Sequence, residues 1–121
     1  MDFSRDEAAC ILDRLYELVL ARRDERPEAS YVVELLDGGW ETIAAKVREE
    51  AEEVVSAARD ESDDALAHEV ADLLFHVWVL MASRGVEPLA VYDELTRRFG
   101  IGGLKEKASR TDKMGAVGND S

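Results

Sequence analysis

Two groups of acidic residues have the types and spacing to do chemistry: Glu49-Glu50-Ala51-Glu52-Glu53 and Glu69-Val70-Ala71-Asp72. On a helix, acids three residues apart project from one face, and two such helices facing each other supply four carboxylates to one site. A hard divalent cation held there neutralises phosphate charge and activates water. The implied chemistry is metal-assisted attack of water on a phosphoryl group. The pattern alone is weak, because the chain carries 27 acidic residues among 121, and a solvated acidic face is the competing reading.

Placement on the helices separates the two readings. At about 100° per residue, Glu50 falls within the apolar stripe of Ile43, Val47, Val54 and Ala57, Glu53 at its edge and Glu49 beside Glu53, while Glu52 points to water. Asp72 shares a face with Glu69 and His76. Leu66, Leu73, Phe75, Trp78, Val79 and their neighbours cover almost every other direction, which predicts a helix buried all round. An unpaired carboxylate in such surroundings costs several kcal/mol. Lys46 and His76 cannot balance four or five converging acids, whereas divalent cations can.

An all-carboxylate donor set favours Mg²⁺, with Mn²⁺ possible, over zinc or copper. A di-iron bundle would need a Glu-x-x-His pair on each of two helices, and neither acidic helix has one. His76 therefore reads as a core or supporting residue and His68 as surface. Cys10 is the only cysteine. It permits no internal disulfide or zinc ribbon, and it has the pattern of a small core residue. Neither a nucleophile elbow nor a GxxxxGK[ST] phosphate loop is present.

The elements that must position these residues are all helical. Ser4 and Glu7 form a capping box for a first helix to about Ala21, with Ile11, Leu12, Leu15, Leu18 and Val19 at helical spacing. After a charged loop with Pro27, Ser30 caps a short helix that Gly38-Gly39 ends. A third helix runs from Trp40 to about Arg59. The acidic turn Asp60–Asp64 starts a fourth, which stops at Gly85, and Pro88 opens a fifth, closed by Gly100. Strand alternation is absent throughout. The length predicts one domain over residues 1–110 and a polar, flexible tail over 111–121.

A formal charge of −12 repels nucleic-acid backbones. The N-terminus lacks the pattern of a signal peptide, and the longest apolar stretch, Val70 to Ala82, is too short to span a bilayer, which together predict a cytoplasmic protein without a membrane partner.

Glu49, Glu50, Glu53, Glu69 and Asp72 match the EExxE, spacer, ExxD pattern of the all-α MazG-like pyrophosphatase superfamily. Ser30-Tyr31-Val32, Leu35-Leu36-Asp37-Gly38-Gly39, Lys46-Val47-Arg48-Glu49-Glu50, Ala71-Asp72-Leu73-Leu74-Phe75-His76 and Glu106-Lys107-Ala108-Ser109-Arg110 resemble, within it, the phosphoribosyl-ATP pyrophosphatase family. The likeness runs from about Ser30 to Arg110. It departs at Gly102-Gly103, where the family has a Ser-Gly pair.

The resemblance implies a MazG-like helical bundle forming an intertwined homodimer. It also implies hydrolysis of phosphoribosyl-ATP, a small nucleotide, to phosphoribosyl-AMP and pyrophosphate, the second step of histidine biosynthesis. By position, Glu50, Glu53, Glu69 and Asp72 would hold Mg²⁺, and Glu49, catalytic with Glu50, would complete the site or orient water. Lys46 would contact phosphate or pair with Glu50. Lys107 and Arg110 would close over the phosphates or form a charged tail. Many relatives are fused to the cyclohydrolase of the next step, whose Cys and His ligands this chain lacks, so a separate chain is expected to perform it. Two other functions remain open: a house-cleaning pyrophosphatase acting on other nucleoside triphosphates, and a non-catalytic helical dimerisation protein.

Overall fold

The computed structural model describes residues 10–99, which form α1 (Ile11–Glu25), α2 (Tyr31–Gly38), α3 (Trp40–Asp60), α4 (Asp63–Arg84) and α5 (Pro88–Phe99). No strand occurs among them, as the sequence pattern requires. The capping box at Ser4 and Glu7 lies outside the described residues, as do the ends expected for the domain at residue 110 and for the tail. Described residues up to Glu87 form one compact unit, and those from Pro88 belong to a second.

Helix α1 runs past the expected end at Ala21 because Arg22 to Glu25 are compatible with helix. It stops where Arg26 turns left-handed at φ 50° and donates its N–H to the Arg22 carbonyl; the following Pro27 disfavours a helical residue before it. The Arg26 guanidinium then grips both oxygens of Asp37, at 2.8 and 3.1 Å, tying this turn to the end of α2. Ser30 caps α2 by accepting from the Val33 N–H.

Between α2 and α3, Gly39 takes φ 85°, and a Cβ on Gly38 would lie 2.7 Å from Thr42 Oγ1. Glycine is thus required twice, once for conformation and once for space. Only Glu61 and Ser62 separate α3 from α4, so the two pack as an antiparallel hairpin. The Ser62 hydroxyl accepts from Ala65 N–H at 3.1 Å, and Asp63 and Asp64 place negative charge on the positive helix end.

The core of the first unit comprises Tyr16 and Val19 of α1, Val32 and Leu35 of α2, Ile43, Ala44 and Ala57 of α3, and Trp78, Val79 and Ala82 of α4. The Trp78 indole N–H donates to the Leu12 carbonyl at 2.9 Å, joining α4 to α1.

Two expectations are corrected here. Helix α4 is not buried all round: Val70 and Leu74 stay 37% and 36% exposed, because α1, α2 and α3 cover only part of its circumference. Cys10 is exposed, not a core residue, since it precedes the first turn of α1. The bilayer argument changes as well, because the whole of α4 is 22 residues with a window of mean hydropathy 1.4, long and apolar enough by those measures to cross a membrane. It nevertheless carries Glu69, Asp72 and a buried His76 and packs along α3, as the central helix of a helical fold does.

Helix α5 is an amphipathic segment whose Glu94 accepts from Arg97 at 2.6 Å and from Arg98 at 2.9 Å. These bonds hold its carboxyl down at about 2.

Candidate metal centre

The hairpin sets residues equidistant from its turn level with one another, so the second half of α3 faces the first half of α4. Glu50, Glu69 and Asp72 each bring a carboxylate oxygen within 4.8 Å of the other two, and all three are partly buried. Oxygens on opposite corners of a Mg²⁺ octahedron lie about 4.2 Å apart, given a metal–oxygen distance of about 2.1 Å. Small side-chain movements would therefore close this group around one ion. Its donors are all hard oxygens, which suits Mg²⁺ or Mn²⁺ better than a softer metal.

The electrostatics carry the mark of carboxylates crowded together. The Glu69 carboxyl is pushed above its ordinary value, first by desolvation and then by the negative charge of Glu53, with Glu50 and Asp72 adding to the repulsion and His68 opposing it. Glu53 is exposed and stands outside the close group, acting on Glu69 through its field.

A raised folded-state value means that Glu69 contributes stability fully below its unfolded value and loses that contribution as pH rises through the folded one. In EDTA, the wild type should therefore lose melting temperature relative to Glu69→Gln as pH rises from the carboxylate range toward neutrality, and Mg²⁺ should restore it. Parallel pH profiles for the two proteins would refute this account.

Lys46, one turn before Glu50, bonds Glu49 at 3.0 Å. The pairing expected from sequence was with Glu50; the structure gives Lys46 to Glu49 instead, three residues on along the same helix. The Lys46 ammonium is held above its usual range, chiefly by that bond, with the negative charges of Glu49 and Glu50 adding to it and desolvation opposing. Lys46 thus stands at the edge of the acidic group. Glu49 is joined to it through Lys46 and not as a member of the three-carboxylate cluster. Lys107 and Arg110 lie outside the described residues.

Two features were missed. His68, read as surface, is exposed but lies 3.3 Å from Asp72 Oδ2; its i, i+4 spacing was the available signal. His76 is buried, as expected, and bonds the Tyr31 hydroxyl at 2.8 Å across 45 residues of sequence, a pairing that no local pattern could show.

Similarity to known proteins agrees with this geometry. Residues 12–99 match the family model described as phosphoribosyl-ATP pyrophosphohydrolase. A phosphoribosyl-ATP pyrophosphatase of Rhodopirellula baltica is 48% identical over 119 residues, covering 95% of this chain and 98% of that protein. The one from Trichlorobacter lovleyi is 47% identical over 102 residues, covering 84% and 94%. A histidine biosynthesis bifunctional protein HisIE of Wolinella succinogenes is 43% identical over 102 residues, which make up 44% of its own length. With the hairpin, its carboxylates and these matches in register along most of its length, the chain belongs to the phosphoribosyl-ATP pyrophosphohydrolase family.

Proposed function

We propose that this protein hydrolyses phosphoribosyl-ATP to phosphoribosyl-AMP and pyrophosphate with Mg²⁺ as its cofactor, as a step of histidine biosynthesis. The observation that carries this reading is the convergence of Glu50, Glu69 and Asp72 from two helices of the hairpin, in a chain whose relatives bear that activity in their names.

In this reading Glu50, Glu69 and Asp72 hold the ion, with Glu53 adding charge at its edge. When bound, the cation neutralises phosphate charge and makes water a better nucleophile. Glu49, with one oxygen engaged by Lys46, keeps a second oxygen to receive a proton from the attacking water. Lys46 directs its ammonium at a phosphate oxygen, a charge-assisted contact that offsets the repulsion between acidic protein and acidic substrate. Water adds to one phosphorus of the α–β bridge as that P–O bond breaks, and the phosphate on the other side leaves with the bond's electron pair, giving phosphoribosyl-AMP and pyrophosphate. Lys107 and Arg110 are assigned to closing over the phosphates.

We also propose a homodimer. Ile11, Leu12, Leu15 and Leu18 of α1, with Ala71 and Leu74 of α4, line an open apolar groove of about 630 Å³ edged by Arg14. A continuous apolar surface of this kind favours a protein partner, and a second copy would cover the apolar positions of α4 that the described helices leave exposed. Sedimentation equilibrium should give twice the chain mass; a monomer at micromolar concentration would remove this part of the proposal.

The test of function is pyrophosphate release from phosphoribosyl-ATP, with ATP and dCTP as controls, each with Mg²⁺ and with excess EDTA. Magnesium-dependent release from phosphoribosyl-ATP alone is expected. Release only from the controls would move the protein to nucleotide house-cleaning, and no release at all would favour a binding protein.

A further inference from the structure

The carboxylates and Lys46 suit a triphosphate, which phosphoribosyl-ATP shares with ATP, so another group must read the phosphoribosyl end that tells the two apart. That end carries its own phosphate, remote from the bond that breaks. A chain of formal charge −12 repels such a phosphate unless a cation faces it. Recognition therefore calls for an available cation well away from the carboxylates.

Such a cation stands at the open end of the α3–α4 hairpin. Arg84, in the last turn of α4, is exposed and pairs with no carboxylate among the described residues. It edges a pocket of about 220 Å³ whose other walls are Trp40, Leu80, Met81 and Val86. Trp40 is 61% exposed. Backbone geometry sets both rims: α3 starts at Trp40 directly after Gly39, and Gly85, at φ 77°, ends α4 so that Val86 donates its N–H to the Met81 carbonyl at 3.0 Å. Sites for whole small molecules usually enclose about 300 to 1,000 Å³. This pocket is therefore sized for one end of a larger ligand.

Its distance from the carboxylates fits the substrate. From Glu50 back to Trp40 along α3, and from Asp72 on to Arg84 along α4, the separations are about 15 and 18 Å at a rise of about 1.5 Å per residue. Because the helices are antiparallel, both run toward the same end of the hairpin. The substrate leads from its α-phosphate through ribose, purine and second ribose to the remote phosphate, roughly 15 to 20 Å when extended, given bonds of about 1.5 Å. We propose that Trp40 and Arg84 form the subsite for the phosphoribosyl end and so select phosphoribosyl-ATP over ATP. The guanidinium bonds the remote phosphate through its fork of N–H groups, and the indole packs against the second ribose and the purine edge that bears it. This rests on the reading above, in which the carboxylates and Lys46 take the triphosphate, and deepens it by naming what reads the other end.

The experiment compares ligands with and without the phosphoribosyl group. Calorimetry would give Kd for phosphoribosyl-AMP and for AMP, alongside kcat/KM for phosphoribosyl-ATP, with wild type, Arg84→Gln, Arg84→Lys and Trp40→Leu. The wild type should bind phosphoribosyl-AMP about ten- to a hundredfold more tightly than AMP, the scale of a hydrogen bond to a charged group. Arg84→Gln should lose that advantage and a similar factor in kcat/KM. Its Kd for AMP and its melting temperature should hold, because the exposed side chain leaves no described carboxylate unpaired. Arg84→Lys should recover part of the loss, keeping the charge without the fork. Trp40→Leu should weaken phosphoribosyl-AMP about five- to a hundredfold, the range for an aromatic surface under a ring.

An Arg84→Gln protein that keeps the wild-type preference for phosphoribosyl-AMP over AMP would overturn the inference. Equal losses for both ligands would do the same, since Arg84 would then act only as a general source of positive potential, and so would unchanged binding in Trp40→Leu. Turnover by Arg84→Gln at the wild-type kcat/KM would overturn this inference alone. Failure of the wild type to act on phosphoribosyl-ATP would instead overturn the functional reading, and this inference with it.

Discussion

Glu50→Gln and Asp72→Asn should each lower pyrophosphate release about a thousandfold or more, the scale on which loss of one group stabilising transition-state charge is felt. Both changes keep side-chain volume and remove only charge, so they open no cavity. Each subtracts one of the like charges that crowd Glu69, so the melting temperature in EDTA should hold or rise. Its increase on adding Mg²⁺, which follows from binding to the folded state, should shrink sharply in both mutants. Glu52→Gln is the control, since Glu52 is exposed and stands outside the close group; its activity and Mg²⁺ response should match the wild type. Full activity in both Glu50→Gln and Asp72→Asn would sink the metal assignment, whereas lost activity with a lowered melting temperature in EDTA would point to damaged folding.

The second large effect is on stability. Trp78→Ala should cost about 3 to 5 kcal/mol, the usual range for deleting a buried aromatic. Trp78 is 4% exposed and its indole N–H satisfies the Leu12 carbonyl, so truncation loses packing and a bond between α4 and α1 together. Against a typical stability of roughly 5 to 15 kcal/mol, such a loss would leave little folded protein at physiological temperature. Trp78→Phe separates the two contributions, since it keeps most of the apolar volume and forfeits the hydrogen bond, a change of about 1 kcal/mol. Urea denaturation at several protein concentrations is the measurement, because dimer dissociation would make the apparent stability concentration-dependent. A Trp78→Ala protein within about 1 kcal/mol of wild type would mean that the inner face of α4 contributes far less than its burial implies.

Much of the candidate site was legible because its logic is local. The i, i+3 spacing of Glu50 with Glu53 and of Glu69 with Asp72 determines that each pair shares a helix face, and Ser62, Asp63 and Asp64 mark the turn between the two helices. A short turn between long helices permits little except an antiparallel hairpin, so the approach of Glu50 to Glu69 and Asp72 follows from sequence almost directly. The stop at Gly85 and the double glycine before Trp40 were equally readable, since each answers to a backbone requirement that few other residues meet.

What the tertiary structure alone decided depends on distance and on shared space. Whether Glu49 or Glu50 takes Lys46 depends on rotamers and neighbouring charge that helical periodicity does not encode, and the structure selects Glu49. Helical periodicity marked α4 as apolar on nearly every side but could not say what covers each side; the described helices cover only part, leaving Val70 and Leu74 exposed, with Leu74 lining the groove. The bond from Tyr31 to His76 joins residues 45 apart, and only the packing of α2 on the hairpin brings them together. Sequence by itself determined which residues carry charge on which helix face, because side-chain direction repeats with the backbone. Tertiary structure decided which of those charges come together, which tyrosine meets the buried histidine and which apolar surface stays exposed, because each depends on atoms distant in the chain meeting in one place.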